Sequence, residues 1–107
     1  MREARFERRL RLEIERRGGR ALKLVAPGRA GVPDRLVLMP GGRVWFVELK
    51  APGRSPRPLQ LYRIEELSKL GFQVRVVSNF DELKSFLAEV DRDRDQARGF
   101  AGGGDAR

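Results

Sequence analysis

The chain has 107 residues, carries 23 Lys+Arg against 15 Asp+Glu for a net charge of +8, and contains neither cysteine nor histidine. Disulfides, Cys/His zinc sites, Ser-His-Asp triads, Cys-His dyads and histidine general bases are therefore excluded, so any catalysis falls to carboxylates, lysine, arginine, hydroxyls or a metal held by oxygen. Length allows one domain, and the basic excess points to a polyanionic partner, most simply nucleic acid.

Residues 2–17 read as an amphipathic helix, with Phe6, Leu10 and Ile14 on one stripe, arginines over most of the rest, and Gly18-Gly19 as the stop. On the helical wheel Glu7 falls close to Ile14, and a carboxylate on an apolar face needs a partner. Glu3 shares this face, in a terminal turn. The opening MREARFERRL is charged from the start, unlike a secretory leader, and no apolar run approaches the roughly 20 residues of a membrane span. A soluble protein of the cytoplasm is expected, with no membrane partner.

Residues 20–25 look like a short strand, followed by a Pro/Gly loop carrying Arg29. A second strand covers 34–39, Pro40-Gly41-Gly42 marks a turn, and a third strand covers 43–50. Both faces of this third strand are apolar until its end, the pattern of a central strand covered on both sides. The loop 51–58 is basic, with Arg54 and Arg57. A helix follows over about 59–70, placing Gln60 and Arg63 on the same face as Ile64, Leu67 and Leu70. Residues 73–77 form a fourth strand, parallel to the third through a βαβ unit. A last helix runs from Asp81 to about Val90, with Asn79 or Asp81 as its cap. Residues 91–107 are charged and glycine-rich, and disorder is expected there. The expected fold is an α/β domain over 1–90 in the order α-β-β-β-α-β-α, a mixed sheet flanked by helices.

The hairpin brings chemistry together. A three-residue loop, as a type I turn with Pro first and a glycine in the left-handed region, sets Met39 opposite Arg43 and hence Asp34 opposite Glu48. Opposed residues share a face with Cβ atoms about 4.5–5.5 Å apart, and Lys50 points to the same side. A loop one residue longer or shorter would turn Asp34 to the other face. Two such carboxylates repel unless a cation lies between them, and Mg²⁺ is the natural occupant because it takes oxygen ligands. Lys50 is then placed to act on water or to neutralise charge developing on a phosphate.

Pro33-Asp34 followed by Glu48-Leu49-Lys50 at the end of the next strand resembles the Pro-Asp…(Asp/Glu)-X-Lys nuclease signature. The stretch GVPDRLVLMPGGRVWFVELKAPGRSPRPLQ, with LSKLGFQVRVV after it, closely resembles the VRR-NUC branch of that superfamily. The likeness spans the first helix to about residue 90. It implies a restriction-endonuclease-like core and Mg²⁺- or Mn²⁺-dependent hydrolysis of phosphodiesters in DNA. Small stand-alone members, many from phage, are similar to Holliday-junction resolvases and form homodimers. Carried onto this chain, the resemblance makes Asp34, Glu48 and the carbonyl of Leu49 metal ligands, and Lys50 the residue that positions or activates water. It matches Glu7, with Glu3 next, to the glutamate of the family's first helix, and Gln60 to its glutamine. Lys23, Arg29, Arg54, Arg57 and Arg63 lie where phosphate contacts are expected, whereas Tyr62 and Trp45 read as packing residues.

Three readings follow. The first is a metal-dependent endonuclease acting on branched DNA. The second is a nucleic-acid-binding module that keeps the fold without catalysis. The third is a basic surface serving only a protein partner. The intact set of Asp34, Glu48 and Lys50 favours the first.

Overall fold

The computed structural model describes residues 3–101, with side chains described for residues 4–95. Its elements are α1 (Glu3–Arg16), β1 (Arg20–Lys23), β2 (Arg35–Met39), β3 (Arg43–Leu49), α2 (Pro58–Lys69), β4 (Gln73–Val77) and α3 (Phe80–Ala101). This is the expected α-β-β-β-α-β-α order. The four strands form one mixed sheet in the order β1-β2-β3-β4, antiparallel at the first two junctions and parallel between β3 and β4.

One face of the sheet carries the main core. The α1 stripe of Phe6, Leu10 and Ile14 is buried, as its spacing of four predicts. It meets Val37, Trp45, Val47 and Leu49 from the strands, and Leu83, Phe86, Leu87 and Val90 from α3. Trp45 packs edge-on to Phe86 at 5.9 Å, and its indole N–H donates to Glu89 Oε2 at 3.0 Å, so the ring is buried without orphaning its polar atom. Burial works against the Glu89 carboxylate, but bonds from Arg75 and Trp45 hold it below the ordinary range.

The opposite face is covered unevenly. Helix α2 packs on β4, and Phe46 meets Phe72 at 5.5 Å. Leu36, Leu38, Val44 and Phe46 are only half-buried, and Leu22 is exposed. The expectation that β3 is enclosed on both sides therefore holds for the Trp45 side and only in part for the Val44 side. Apolar residues on both faces say that a strand is central, not where the covering helix sits.

The hairpin loop has the expected length and register, with Met39 opposite Arg43. Its type differs. Gly41 and Gly42 both have positive φ, +85° and +76°. A positive φ at the residue after Pro40 belongs to a type II turn rather than type I, and glycine adopts it without a steric cost.

The end of the chain departs most from expectation. The segment from Asp91, read as disordered, continues α3 as far as Ala101; residues 102–107 lie outside the described residues. Several charged residues of this segment have partners. Asp91 accepts from Arg17 Nε at 2.8 Å, Asp93 lies 3.7 Å from Arg43, and Arg94 lies 3.8 Å from Asp91 one turn earlier. Arg43 also donates to the carbonyl of Val90 at 3.1 Å. Composition alone reads such a run as solvated, but helical spacing lets it clamp α3 onto α1 and the hairpin.

At the other end of α3, Asn79 is the cap. Its Oδ1 accepts from the Glu82 N–H at 2.8 Å, while Glu82 Oε1 accepts from the Ser78 N–H at 2.7 Å. Asn79→Ala is expected to lower stability by about 1 kcal/mol, read from the urea midpoint at unchanged m-value.

Candidate active site

The pairing of Arg35 with Val47 places Asp34 and Glu48 as the next opposed residues, at the mouth of the hairpin. Asp34 lies just before β2, and Glu48 lies within β3, where it is only 5% exposed. A carboxylate at that depth needs compensation. Glu48 Oε2 accepts from Gln60 Nε2 at 2.9 Å and lies 3.4 Å from Lys50 Nζ. Burial pushes the Glu48 carboxyl above its ordinary range, the Asp34 charge adds to this, and Lys50 pulls the other way.

Asp34 is held on both oxygens. Oδ1 accepts from the Leu49 N–H at 3.2 Å, and Oδ2 lies 3.3 Å from Arg35 Nη1. Arg35 also donates to the Asp34 carbonyl at 2.9 Å, and its Nε is buried with no partner among the described residues. Arg35 was not singled out in the sequence, where it reads as a strand residue. The pattern that would have revealed it is a cation directly after the acid.

Lys50 follows β3, and its N–H donates to the Val77 carbonyl at 2.9 Å, so the β3–β4 ladder fixes its backbone. Gln60 serves two groups. Its Nε2 binds Glu48, and its Oε1 accepts from the Arg57 N–H at 2.8 Å, satisfying the first turn of α2. The cap thus locks the rotamer that reaches the carboxylate. Gln60→Leu would leave the buried Glu48 carboxylate and the Arg57 N–H without this partner and is expected to lower stability by about 1–3 kcal/mol, read from the urea midpoint.

The remaining expected residues divide. Glu7 is half-buried and pairs with Arg11 at 3.8 Å. Among the described residues no three acidic side chains converge to hold a metal, so Glu7 does not join Asp34 and Glu48 in a cluster. It stands on α1, which covers the Trp45 face of the sheet, whereas Glu48 points to the other. The Glu3 side chain lies outside those described. Arg63 is engaged structurally, with Nε donating to the Ala30 carbonyl at 3.1 Å and Nη1 to Glu66 at 3.1 Å. It ties α2 to the loop that carries Arg29. That loop lies close against α2: a Cβ on Gly31, whose φ is +87°, would come within 3.0 Å of the Leu59 carbonyl oxygen. Lys23, Arg29, Arg54 and Arg57 are exposed. Tyr62 is also exposed, contrary to its reading as a packing residue, while Trp45 is fully buried.

This donor set fits a hard divalent cation. It offers two oxygen-rich side chains on one face, no soft ligand, and a buried carboxyl destabilised by its neighbour's charge, which a cation would relieve. Two carboxylates and a lysine thus meet at the end of a central strand of an α/β sheet, the residue set of the nuclease signature that the sequence resembles.

Comparison with known proteins agrees. The chain is 49% identical over 90 residues to a protein named "Putative nuclease p44" from Acyrthosiphon pisum secondary endosymbiont phage 1, a match covering 84% of this chain and 96% of that protein. A solved VRR-NUC domain is 37% identical, with a TM-score of 0.76 over 80% of this chain and 94% of the other. A second solved VRR-NUC domain protein, 23% identical, shares the fold with a TM-score of 0.66 over 82% of this chain and 86% of the other. No family profile matches the chain. The chain belongs to the VRR-NUC nuclease family. Among the described residues no helix is long and apolar enough to cross a membrane.

Proposed function

We propose that the protein is a divalent-metal-dependent DNA endonuclease that hydrolyses phosphodiester bonds in branched DNA, leaving a 5′-phosphate and a 3′-hydroxyl. The observation that carries this is the Asp34/Glu48 pair on one face, with Lys50 and Gln60 both on Glu48 Oε2. Asp34 and Glu48, with the Leu49 carbonyl, would hold Mg²⁺ or Mn²⁺. When bound, the ion supplies Lewis-acid stabilisation of charge on the phosphate and a lower pKa for water.

The chain's own residues do the rest. Gln60 and Arg35 keep the two carboxylates in place, so little reorganisation is needed as charge develops. Lys50 brings an ammonium beside Glu48, where it can orient the attacking water and offset charge growing on the phosphate. The exposed Arg54 and Arg57 lie on the loop directly beyond Lys50, and Lys23 and Arg29 are exposed near Asp34 in sequence, so a DNA backbone reaching the centre would meet positive charge. Such contacts are salt-sensitive and blind to sequence. No base-reading helix stands out, which favours recognition by shape. A homodimer would present two centres to the two strands of a four-way junction, matching a C₂-symmetric substrate.

The test is cleavage of supercoiled plasmid, a four-way junction and linear duplex, each with Mg²⁺, Mn²⁺ or EDTA. Cutting that requires the metal and favours the junction is expected. Binding without cutting under either metal would overturn the proposal in favour of a non-catalytic DNA-binding module.

A further inference from the structure

We propose that the groove between α1 and α3 binds a single-stranded nucleic-acid segment, stacking a base on Phe80 and laying phosphates across Arg5, Arg8 and Arg9. The proposal rests on the nuclease reading above and names where an unpaired strand of the substrate would lie.

Phe80, the first residue of α3, is 47% exposed. One side of its ring is held by Phe6, with centroids 4.8 Å apart at 60°, and the Arg9 guanidinium lies 5.9 Å from its centroid. Phe6 fixes the ring, and a base stacking on it would take the place of the Arg9 guanidinium that lies over the ring, freeing that cation for a phosphate. Two depressions meet at this ring: a groove of about 700 Å³ along α1 and α3, and a hollow of about 190 Å³ bordered by Arg5, Arg8, Arg9 and Leu12.

The charge around the ring is mainly positive where it is free. Of the acids lining the groove, Glu13 and Asp91 are both bound by Arg17 at 2.8 Å. That leaves Asp81 against Arg5, Arg9 and Lys84, with Arg8 on the adjoining hollow. Among the described residues, Arg5, Arg8, Arg9 and Lys84 form no salt bridge, whereas Arg11 and Arg16 of α1 and Arg17 just after it do. Exposed aromatic surface flanked by free cations is the chemistry that single strands use, because any base offers a flat face and the backbone supplies regular charge. In duplex DNA the bases are stacked on each other, so the ring would stay exposed.

Position links the groove to the catalytic carboxylates. β3 and β4 run parallel and end together, and Lys50 N–H donates to the Val77 carbonyl at 2.9 Å. Phe80 lies three residues beyond Val77, so it emerges at the same end of the sheet as Glu48 and Lys50. Because Phe80 packs against Phe6 of α1, the groove lies on the Trp45 face, so a strand leaving the Glu48 face would pass around this end of the sheet to reach it.

The test uses the full chain in EDTA, with fluorescence anisotropy of a labelled dT₁₂ and a labelled hairpin duplex. Phe80→Leu keeps an apolar contact for Phe6 but removes the ring face. It is expected to weaken dT₁₂ binding by about tenfold, within the range for one stacked base, and to leave the hairpin unchanged. The double substitution Arg8→Gln/Arg9→Gln is expected to reduce the salt slope for dT₁₂ by about 1.4. Wild-type affinity for dT₁₂ in Phe80→Leu, or an equal loss for both ligands, overturns the proposal. Cleavage by wild-type protein with Mg²⁺ is scored separately. Cutting by a wild type whose dT₁₂ affinity ignores Phe80 sinks the groove alone. Phe80-dependent dT₁₂ binding by a wild type that never cuts sinks the nuclease reading alone.

Discussion

Lys50→Met is expected to slow metal-dependent cleavage by at least about 10²–10³-fold, the scale on which loss of one positioned charge-stabilising group is felt in a water-poor site. Methionine retains most of the apolar stem but removes the ammonium 3.4 Å from Glu48 Oε2. DNA binding in EDTA should change little, because the exposed basic loops are untouched. Asp34→Asn should match or exceed this loss, since it removes one of the two charges proposed to hold the cation while keeping an acceptor for the Leu49 N–H. Lys50→Arg separates charge from shape. The guanidinium keeps the charge but is a planar fork rather than a compact ammonium, so partial activity is expected. Single-turnover cleavage of one labelled junction, with circular dichroism as the control for folding, measures all three. Full activity in Lys50→Met would remove Lys50 from the chemistry.

Glu48→Gln is expected to raise stability in the metal-free protein and to remove the stabilisation that Mg²⁺ gives. In the metal-free protein, burial and the Asp34 charge raise the Glu48 carboxyl above its ordinary value, with Lys50 opposing. Between the ordinary value and that raised value, the folded protein keeps a proton that the unfolded chain has released. Stability therefore falls as pH rises through this window and stays at the lower level above it. Glutamine cannot ionise, so the variant should lose that slope and be more stable than wild type at neutral pH in EDTA. Added Mg²⁺ should reverse the order. A free ion concentration of about a hundred times Kd contributes about 2.7 kcal/mol to wild type, a Tm rise on the order of 10 °C for a domain of this size, and little to the variant. Protons compete with the ion for Glu48, so apparent metal affinity in wild type should weaken with acid across the same window. Thermal melts across pH with Mg²⁺ or EDTA read every arm. An Mg²⁺-induced rise that survives in Glu48→Gln would place the ion elsewhere.

Much of the site was legible because it is built from one hairpin. Loop length sets register, and register sets which side chains oppose each other. Counting back from Pro40-Gly41-Gly42 therefore pairs Asp34 with Glu48 without any long-range information. The turn type was not legible from Pro-Gly-Gly, since either glycine can take a positive φ, yet the error left the register intact. The helix stripes of Phe6, Leu10 and Ile14, and of Leu83, Phe86, Leu87 and Val90, were equally local signals.

What composition misread was the stretch after Asp91. Its alternating charges look solvated until Arg17 and Arg43, 74 and 50 residues earlier in the chain, are seen to meet Asp91 and Asp93. Glu7 shows the converse. A place on the wheel beside Ile14 located it on the right helix, but which sheet face that helix covers is a matter of packing.

The amino-acid sequence by itself determined the order of elements, the carboxylate pair, the lysine beside it and the positive field that a phosphate backbone would meet. All of these follow from periodicity, turn length and charge, which act over a few residues. Tertiary structure alone decided that Gln60 reaches from its helix cap to Glu48. It also decided that Glu7 stands on the other face of the sheet from Glu48, and that Phe80 is left half-exposed beside Arg9. Each of these depends on where one element lands on another, and that is set by the burial of whole faces, which no local pattern encodes.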